Sequence, residues 1–291
     1  MADWTIIRLL SWTESYFKKH AVDSPRLTAE ILLAHSLSMK RIDLYMQFDR
    51  PLQKNELADF KVLIKRRRQN EPVAYITGEK GFFDSDFIVT DNVLIPRPDT
   101  ETLVEQAIGL LDARPAGRPA RILELGTGSG AVVVSLAKAM PGNVYFANDI
   151  SHDAVRIALR NAENILGSTG RVFMFSGNWF SSVKPGSVFD LVISNPPYIP
   201  SGDISGLAPE ISGFEPVKAL DGGKDGLECF RLIIGQACGF LADGGVLLLE
   251  MGSDQKQGIA EIAGRYDSYL PPEFKKDLAG NDRVALIKKI N

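Results

Sequence analysis

Arg121-Ile122-Leu123-Glu124-Leu125-Gly126-Thr127-Gly128-Ser129-Gly130 runs from a short apolar segment into three alternating glycines, and a helical pattern follows over about 130–140. A strand that turns on glycines into a helix offers backbone N–H groups and a helix N-terminus to a ligand at close range. Outward from this turn the chain alternates. Strands are predicted at 121–125, 144–147, 172–175, 189–194 and 246–250, with helices at about 130–140, 152–165, 226–241 and 254–264. Repeated strand–helix units imply an α/β fold, a parallel sheet with helices on both faces. The rhythm breaks at the end, where Phe274–Leu278, Gly280-Asn281 and Arg283–Lys288 predict a hairpin with an Asn/Gly turn.

The glycine turn suits several nucleotide-like cofactors. Asp149 ends the next predicted strand, 23 residues after Gly126. An acid there can accept hydrogen bonds from two ribose hydroxyls; alternatively it caps the helix opening near Ser151. The spacing also fits a dinucleotide fingerprint ending in Ala131. Against that, Glu124 lies two residues before the first glycine, where an acid suits an amino group better than a pyrophosphate. After the third strand comes Gly177-Asn178-Trp179-Phe180. Trp179 can stack on a purine or simply fill core.

A second constellation follows the strand at 189–194: Asn195-Pro196-Pro197-Tyr198. Two prolines fix φ and remove two donors, so the strand must end in a stiff turn. The Asn195 carbonyl and a prolyl carbonyl can each accept an N–H from a planar, NH2-bearing substrate, and Tyr198 can stack on its plane. The plainer reading is a Pro-Pro loop with a structural Asn.

Together, E-x-G-x-G-x-G and N-P-P-Y resemble the class I S-adenosylmethionine-dependent methyltransferases that modify planar amide or amino nitrogens. Further stretches narrow the likeness: Glu71-Pro72-Val73-Ala74-Tyr75-Ile76-Thr77-Gly78, Leu94-Ile95-Pro96-Arg97-Pro98-Asp99-Thr100-Glu101, Phe214-Glu215-Pro216, Gly222-Gly223-Lys224-Asp225-Gly226-Leu227 and Asp277-Leu278-Ala279-Gly280-Asn281-Asp282-Arg283. These are similar to the bacterial release-factor glutamine methyltransferases (HemK/PrmC family), from about residue 71 to the end. The resemblance implies a Rossmann-like, seven-stranded, mostly parallel sheet with an antiparallel C-terminal hairpin, plus a small N-terminal helical domain. It implies S-adenosyl-L-methionine held by Gly126, Thr127, Gly128, Ser129, Gly130, Asp149, Trp179 and Asn195. It implies methylation of the Gly-Gly-Gln glutamine of class-I peptide chain release factors, met by Asn195, Pro196, Pro197 and Tyr198, with Asn195, Pro196 and Tyr198 catalytic. By the same likeness Arg97 packs near the cofactor. Many members carry Asp in place of Glu124, which keeps the charge, and His in place of Phe214, so no polar contact carries over there. Two rival substrates share the same grip: a ribosomal-protein glutamine and the adenine N6 of a nucleic acid.

Composition sets the remaining bounds. The chain has 291 residues, 45% hydrophobic and 24% charged, ordinary for a soluble globular protein. No apolar run reaches the roughly 18–20 residues of a membrane span, and Met1-Ala2-Asp3-Trp4 does not open a signal peptide. A cytoplasmic protein is expected, with no membrane partner, no direct need for nucleic acid, and a monomeric state. Cys229 and Cys238, nine apart on a predicted helix, read as core rather than disulfide, and the scattered His20, His35 and His152 give no metal site. Residues 1–72 hold 13 Lys/Arg against 9 Asp/Glu, and the remainder 20 against 27. That contrast supports an N-terminal helical substrate-recognition domain at 1–72, a β-hairpin connector at 73–98 and a methyltransferase domain at 99–291. In the first domain Ile6, Leu9, Leu10, Thr13 and Phe17 form one helical face. Ser24-Pro25 opens a helix whose apolar stripe is Leu27, Ile31, Ala34 and Leu37, and Leu57, Phe60 and Ile64 mark another. The last ends in Lys65-Arg66-Arg67-Arg68, a dipole complement or a docking patch for RNA or an acidic protein. Asp99 or Thr100 is expected to cap a helix reaching about Leu111, and Arg114-Pro115-Ala116-Gly117 to form a loop.

Overall fold

A computed structural model describes residues 4–115, 117–167 and 170–290, so Met1, Ala2, Asp3 and the Ala116 of the expected loop lie outside the described residues. The chain divides into two units, residues 1–79 with 208–214, and residues 80–207 with 215–291.

The first unit is helical: α1 Ile6–Lys19, α2 Pro25–Ser36, α3 Arg41–Met46, α4 Lys54–Arg68 and α5 Val73–Thr77, with a helical turn at Pro209–Ser212. Ile6, Leu9, Leu10, Thr13 and Phe17 are all buried, as the α1 pattern predicts. The α2 stripe needs correcting. Leu27 is exposed, and the buried face runs through Thr28, Ala29, Glu30, Leu32, Leu33 and Ala34. Glu30 can sit inside because Arg26 (2.7 Å), Arg41 (2.8 Å) and the Tyr45 hydroxyl all donate to it. Ser24 is no side-chain cap; it adopts φ +44°, and its carbonyl takes the Thr28 N–H at 2.9 Å. Residues 73–77 are helix rather than strand, because Tyr75 and Ile76 are buried in this unit and tertiary burial overrides their β-propensity. The basic run is half consumed internally. Arg66 pairs with Glu71, and buried Arg67 pairs with Glu210 at 2.7 Å.

The second unit begins at Lys80, inside the hairpin of β1 Glu79–Phe82 and β2 Ser85–Ile88. Beyond it the rest of the expected β-hairpin connector, including Val93–Ile95, forms no strand. With prolines at 96 and 98 it joins no ladder: the Val93 N–H donates to the Thr90 carbonyl at 3.1 Å and the Ile95 N–H to the Glu215 carboxyl at 3.3 Å. Helix α6 Glu101–Asp112 precedes β3 Arg121–Leu125, α7 Ala131–Ala139, β4 Val144–Asp149, α8 His152–Leu166, β5 Val172–Ser176 and β6 Phe189–Ser194. Then come α9 Glu228–Ala237, β7 Leu241–Glu250, α10 Lys256–Ala263, β8 Glu273–Lys276 and β9 Asp282–Lys288. Among the described residues these build a seven-stranded sheet of order β5-β4-β3-β6-β7-β9-β8, parallel through β7 and antiparallel at β9 and β8.

Alternate residues of each central strand enter opposite cores. Ile122 and Leu248 pack with α6 and α7; Leu123, Leu125, Leu247 and Leu249 pack with α9 and α10. That period-2 split is why these strands read as continuous apolar runs. Chain order reverses between β3 and β6, where crossovers leave in opposite directions and open a crevice at the carboxyl ends of the strands. Glu124, Asp149, Ser194 and Glu250 all stand at those ends.

Candidate active site

The crevice is a cavity of about 430 Å³, of the size that takes a small ligand. Its wall includes Glu124, the glycine turn, Asp149, Trp179, Arg97, Thr100, Asn195 and Pro197. Gly126, Gly128 and Gly130 take φ of +72°, +55° and +82°, which a side chain would strain. A Cβ on Gly130 would also lie 3.1 Å from the Ala158 Cβ, so α7 and α8 need that glycine to meet.

Asp149 organises the turn. Its Oδ2 accepts the Gly128 N–H and its Oδ1 the Ser151 N–H, each at 2.9 Å. The helix-cap role and the loop-facing role therefore coexist, and each oxygen keeps acceptor capacity toward the cavity. Trp179 holds φ +49°, and its carbonyl takes the Asn148 side-chain NH2 at 2.6 Å. Its ring edge would be 3.6 Å from a Cβ on Gly126.

Glu124 is buried at the end of β3. Its Oε2 accepts from the Thr127 hydroxyl at 2.6 Å and the Val133 N–H at 3.2 Å. Burial pushes its carboxyl up to about 8 despite those two donors. Among the described residues its hydrogen-bond donors are a hydroxyl and an amide, neither of them a cation, which leaves this buried acid at the cavity wall poised to take one.

On the other side of the crevice, the Asn195 Nδ2 donates to the Thr100 hydroxyl oxygen at 3.2 Å. Its Oδ1 makes no hydrogen bond to the described residues. Thr100 holds the N-cap position of α6, as expected, but its side chain makes no cap hydrogen bond; it is buried at the end of a 3-10 turn, Pro98–Thr100, and faces Asn195. Of the remaining expected substrate residues, Pro197 lines the cavity, while Pro196 is buried and Tyr198 packs into the core cluster around Phe230 and Met251. The Tyr198 hydroxyl points at Glu250, 3.5 Å from Oε1. Arg97 pairs with buried Glu215, which fixes the loop at the cavity rim.

Three supports escaped sequence reasoning. Asn161 is buried in α8 and fully engaged: it donates to the carbonyls of Ile88 (3.0 Å) and Ser129 (2.8 Å) and accepts the Ile88 N–H (2.8 Å). It ties the hairpin to the glycine turn. Gln255 donates to the carbonyls of Tyr198 (2.9 Å) and Gly226 (3.0 Å). A Cβ on Gly222 would sit 2.7 Å from the Tyr198 Cα. The Gly-Gly-Lys-Asp-Gly segment is therefore the clamp on the Pro-Pro turn, a role that only a three-dimensional view supplies.

A sheet of this order, with a glycine turn after its first parallel strand and an Asn-Pro-Pro-Tyr turn across the switch point, defines a class I α/β methyltransferase. The profile of the methyltransferase small domain matches residues 106–207, and that of the PrmC N-terminal domain matches residues 8–78. A methyltransferase structure from Pyrococcus furiosus shares the fold at a TM-score of 0.51 and 21% identity, over 81% of this chain and 98% of that one. The release factor glutamine methyltransferase of Geobacter sulfurreducens is 42% identical over 97% of this chain and 95% of its own length. That of Rhodopirellula baltica is 39% identical over 98% and 97%. The chain belongs to the release factor glutamine methyltransferase family. No helix among the described residues is long and apolar enough to cross a membrane.

Proposed function

We propose that this enzyme transfers a methyl group from S-adenosyl-L-methionine to the side-chain amide nitrogen of the Gly-Gly-Gln glutamine in class-I peptide chain release factors. The observation that carries the reading is Asn195, whose NH2 is committed to Thr100 and whose Oδ1 is left open at the cavity wall. The residues present fit the cofactor. Glu124 offers a buried carboxylate to an ammonium, Asp149 offers acceptors to ribose hydroxyls, and the glycine turn admits close approach. When bound, that cofactor supplies an electrophilic methyl on a positively charged sulfur.

The protein's part is orientation and electrostatics. A glutamine amide nitrogen is a weak nucleophile because its lone pair is delocalised into the carbonyl. The Asn195 Oδ1 and the Pro196 carbonyl accept its two N–H bonds, aim the nitrogen and stabilise the charge that grows on it. With the donor bound, these two acceptors would hold the nitrogen in line with the methyl carbon, so that the N–C bond could form as the donor's S–C bond broke, and one amide proton would then leave to water. The prolines keep both acceptors rigid, so no reorganisation is needed during the step. Tyr198 stiffens the turn from behind.

Asn195→Ala should lower turnover about 10²-fold or more in protein that is folded and saturated with cofactor. Normal turnover in a folded, cofactor-binding Asn195→Ala protein would overturn the assignment. Incubation with tritiated cofactor and purified release factor, ribosomes or DNA tests the substrate, with label expected on the release factor alone. Recognition of the large partner falls to the N-terminal unit, which exposes Ile42, Tyr45, Met46 and Phe48 around α3. The double substitution Ile42→Ser with Met46→Ser should raise KM for the release factor and leave cofactor affinity alone; an unchanged KM would move recognition elsewhere.

A further inference from the structure

Gln255 is buried where β7 passes into α10, outside the cavity wall, and takes no part in the chemistry above. Its amide is nevertheless spent on the backbone that carries that chemistry. Nε2 donates to the carbonyls of Tyr198 (2.9 Å) and Gly226 (3.0 Å), and Oε1 accepts the Gly252 N–H (2.9 Å). Two carbonyls on one side and an N–H on the other allow the amide a single orientation.

The Asn195–Tyr198 turn needs a hold from outside. Its prolines fix φ at 196 and 197 but not ψ, and they bring no N–H with which to join the sheet. Before the turn, the Ser194 hydroxyl donates to the Leu125 carbonyl at 2.7 Å and ties the end of β6 to β3. After it, the Ile199 N–H donates to the Leu220 carbonyl at 3.0 Å, and the Gly222 N–H to the Ile199 carbonyl at 2.8 Å. The peptide plane between Tyr198 and Ile199 is thus held on its N–H side by backbone and on its C=O side by Gln255. Gly226 leaves the room for that contact. It takes φ +72°, and a Cβ there would lie 2.5 Å from the Tyr198 carbonyl oxygen and 2.7 Å from the Gln255 Nε2.

A four-residue turn with two fixed φ angles and both ends pinned has little freedom left. We propose that Gln255 is a positioning residue: by holding the Tyr198 carbonyl it sets the direction of the Pro196 carbonyl, the second acceptor for the substrate amide. Release of that end lets the acceptor drift away from the N–H it must meet. A misplacement of about 1 Å at a reacting centre is enough to cost about 10²-fold in rate.

The inference rests on the turn gripping the substrate amide, and the test separates the two ideas. Gln255→Glu in the full chain keeps the size of the side chain and, when ionised, turns both donors into an acceptor facing two carbonyls. Its kcat on release factor should fall about 10- to 100-fold, with KM for the release factor and affinity for adenosylhomocysteine held within about twofold. A readout independent of turnover is amide hydrogen exchange. The Ile199 N–H should exchange faster in Gln255→Glu, while the Val192 N–H, within β6, keeps its wild-type rate. Wild-type kcat in Gln255→Glu, with Asn195→Ala still impaired, would overturn the positioning role alone, whatever Ile199 does. So would a fall in kcat matched by an equal fall in cofactor affinity and by faster exchange at Val192, the mark of a general loosening. Full activity in Asn195→Ala would remove the reading beneath it. If Gln255→Glu fails to fold, Gln255→Asn, whose shorter side chain withdraws the donors, is held to the same criteria.

Discussion

Two glutamates end two strands of the same sheet, Glu124 on β3 and Glu250 on β7, and both are buried and pushed above the ordinary carboxylate range. They differ in what they face. Glu124 lines the cavity and has two donors on one oxygen, with its turn built around it. Glu250 lies behind the wall, faces other side chains, and leaves an oxygen bare. The first acid is arranged to meet a ligand cation, while the second stands against the Tyr198 hydroxyl, 3.5 Å away, and braces the Pro-Pro turn from behind. The same residue type at equivalent strand ends thus serves binding in one place and orientation in the other.

The sharpest way to break that contrast is to neutralise each in turn. Glu124→Gln removes the partner offered to the cofactor's ammonium and should weaken cofactor binding about 10- to 100-fold at pH 8, the worth of one hydrogen bond to a charged group. Glu250→Gln should leave that affinity within about twofold and act on kcat instead. Isothermal titration with adenosylhomocysteine, which keeps the amino group, measures both. Equal losses in the two variants would erase the distinction.

A proton inventory refines it. With its carboxyl at about 8, Glu124 is mostly protonated at pH 7 in the free protein. An ammonium beside it stabilises the carboxylate, so binding at pH 7 should release close to one proton, and affinity should rise with pH toward 8 before levelling. Titrations in two buffers of different ionisation heat count that proton. Glu124→Gln should release none, and Glu250→Gln should match wild type; a wild-type count near zero would place the ammonium away from Glu124.

How much of this was legible beforehand follows the same divide. Glu124, the glycines and Asp149 sit within one strand–turn–helix and the next strand end, so local spacing exposes them. The sheet was legible for the same reason, since β3 and β6 were read with their observed limits from apolar runs and the turns behind them. Glu250 and Thr100 were opaque. One closes an apolar strand, the other looks like a helix cap, and only the β6–β7 pairing and the return of α6 place them behind Asn195. The α2 stripe failed for a related reason: Glu30 looks like an exposed acid until Arg26, Arg41 and Tyr45 converge on it from two helices. Residues whose partners lie far along the chain carry no periodic or spacing signal.

The smallest expected effect bears on stability. A carboxyl whose folded value is raised favours the folded state while it is neutral. Glu250 therefore contributes most below its unfolded value of about 4.5, and that contribution is lost as pH rises through about 7. Above pH 7 the fold carries a buried, incompletely partnered charge, worth on the order of 3 kcal/mol across the window. Glu250→Gln cannot ionise. It should match or fall below wild type at pH 5, where the native carboxyl is largely neutral, and melt a few degrees higher at pH 8. The melting difference between the two proteins should open from pH 5 and stop growing above pH 7. A constant offset across the whole range would mean that Glu250 keeps one protonation state throughout.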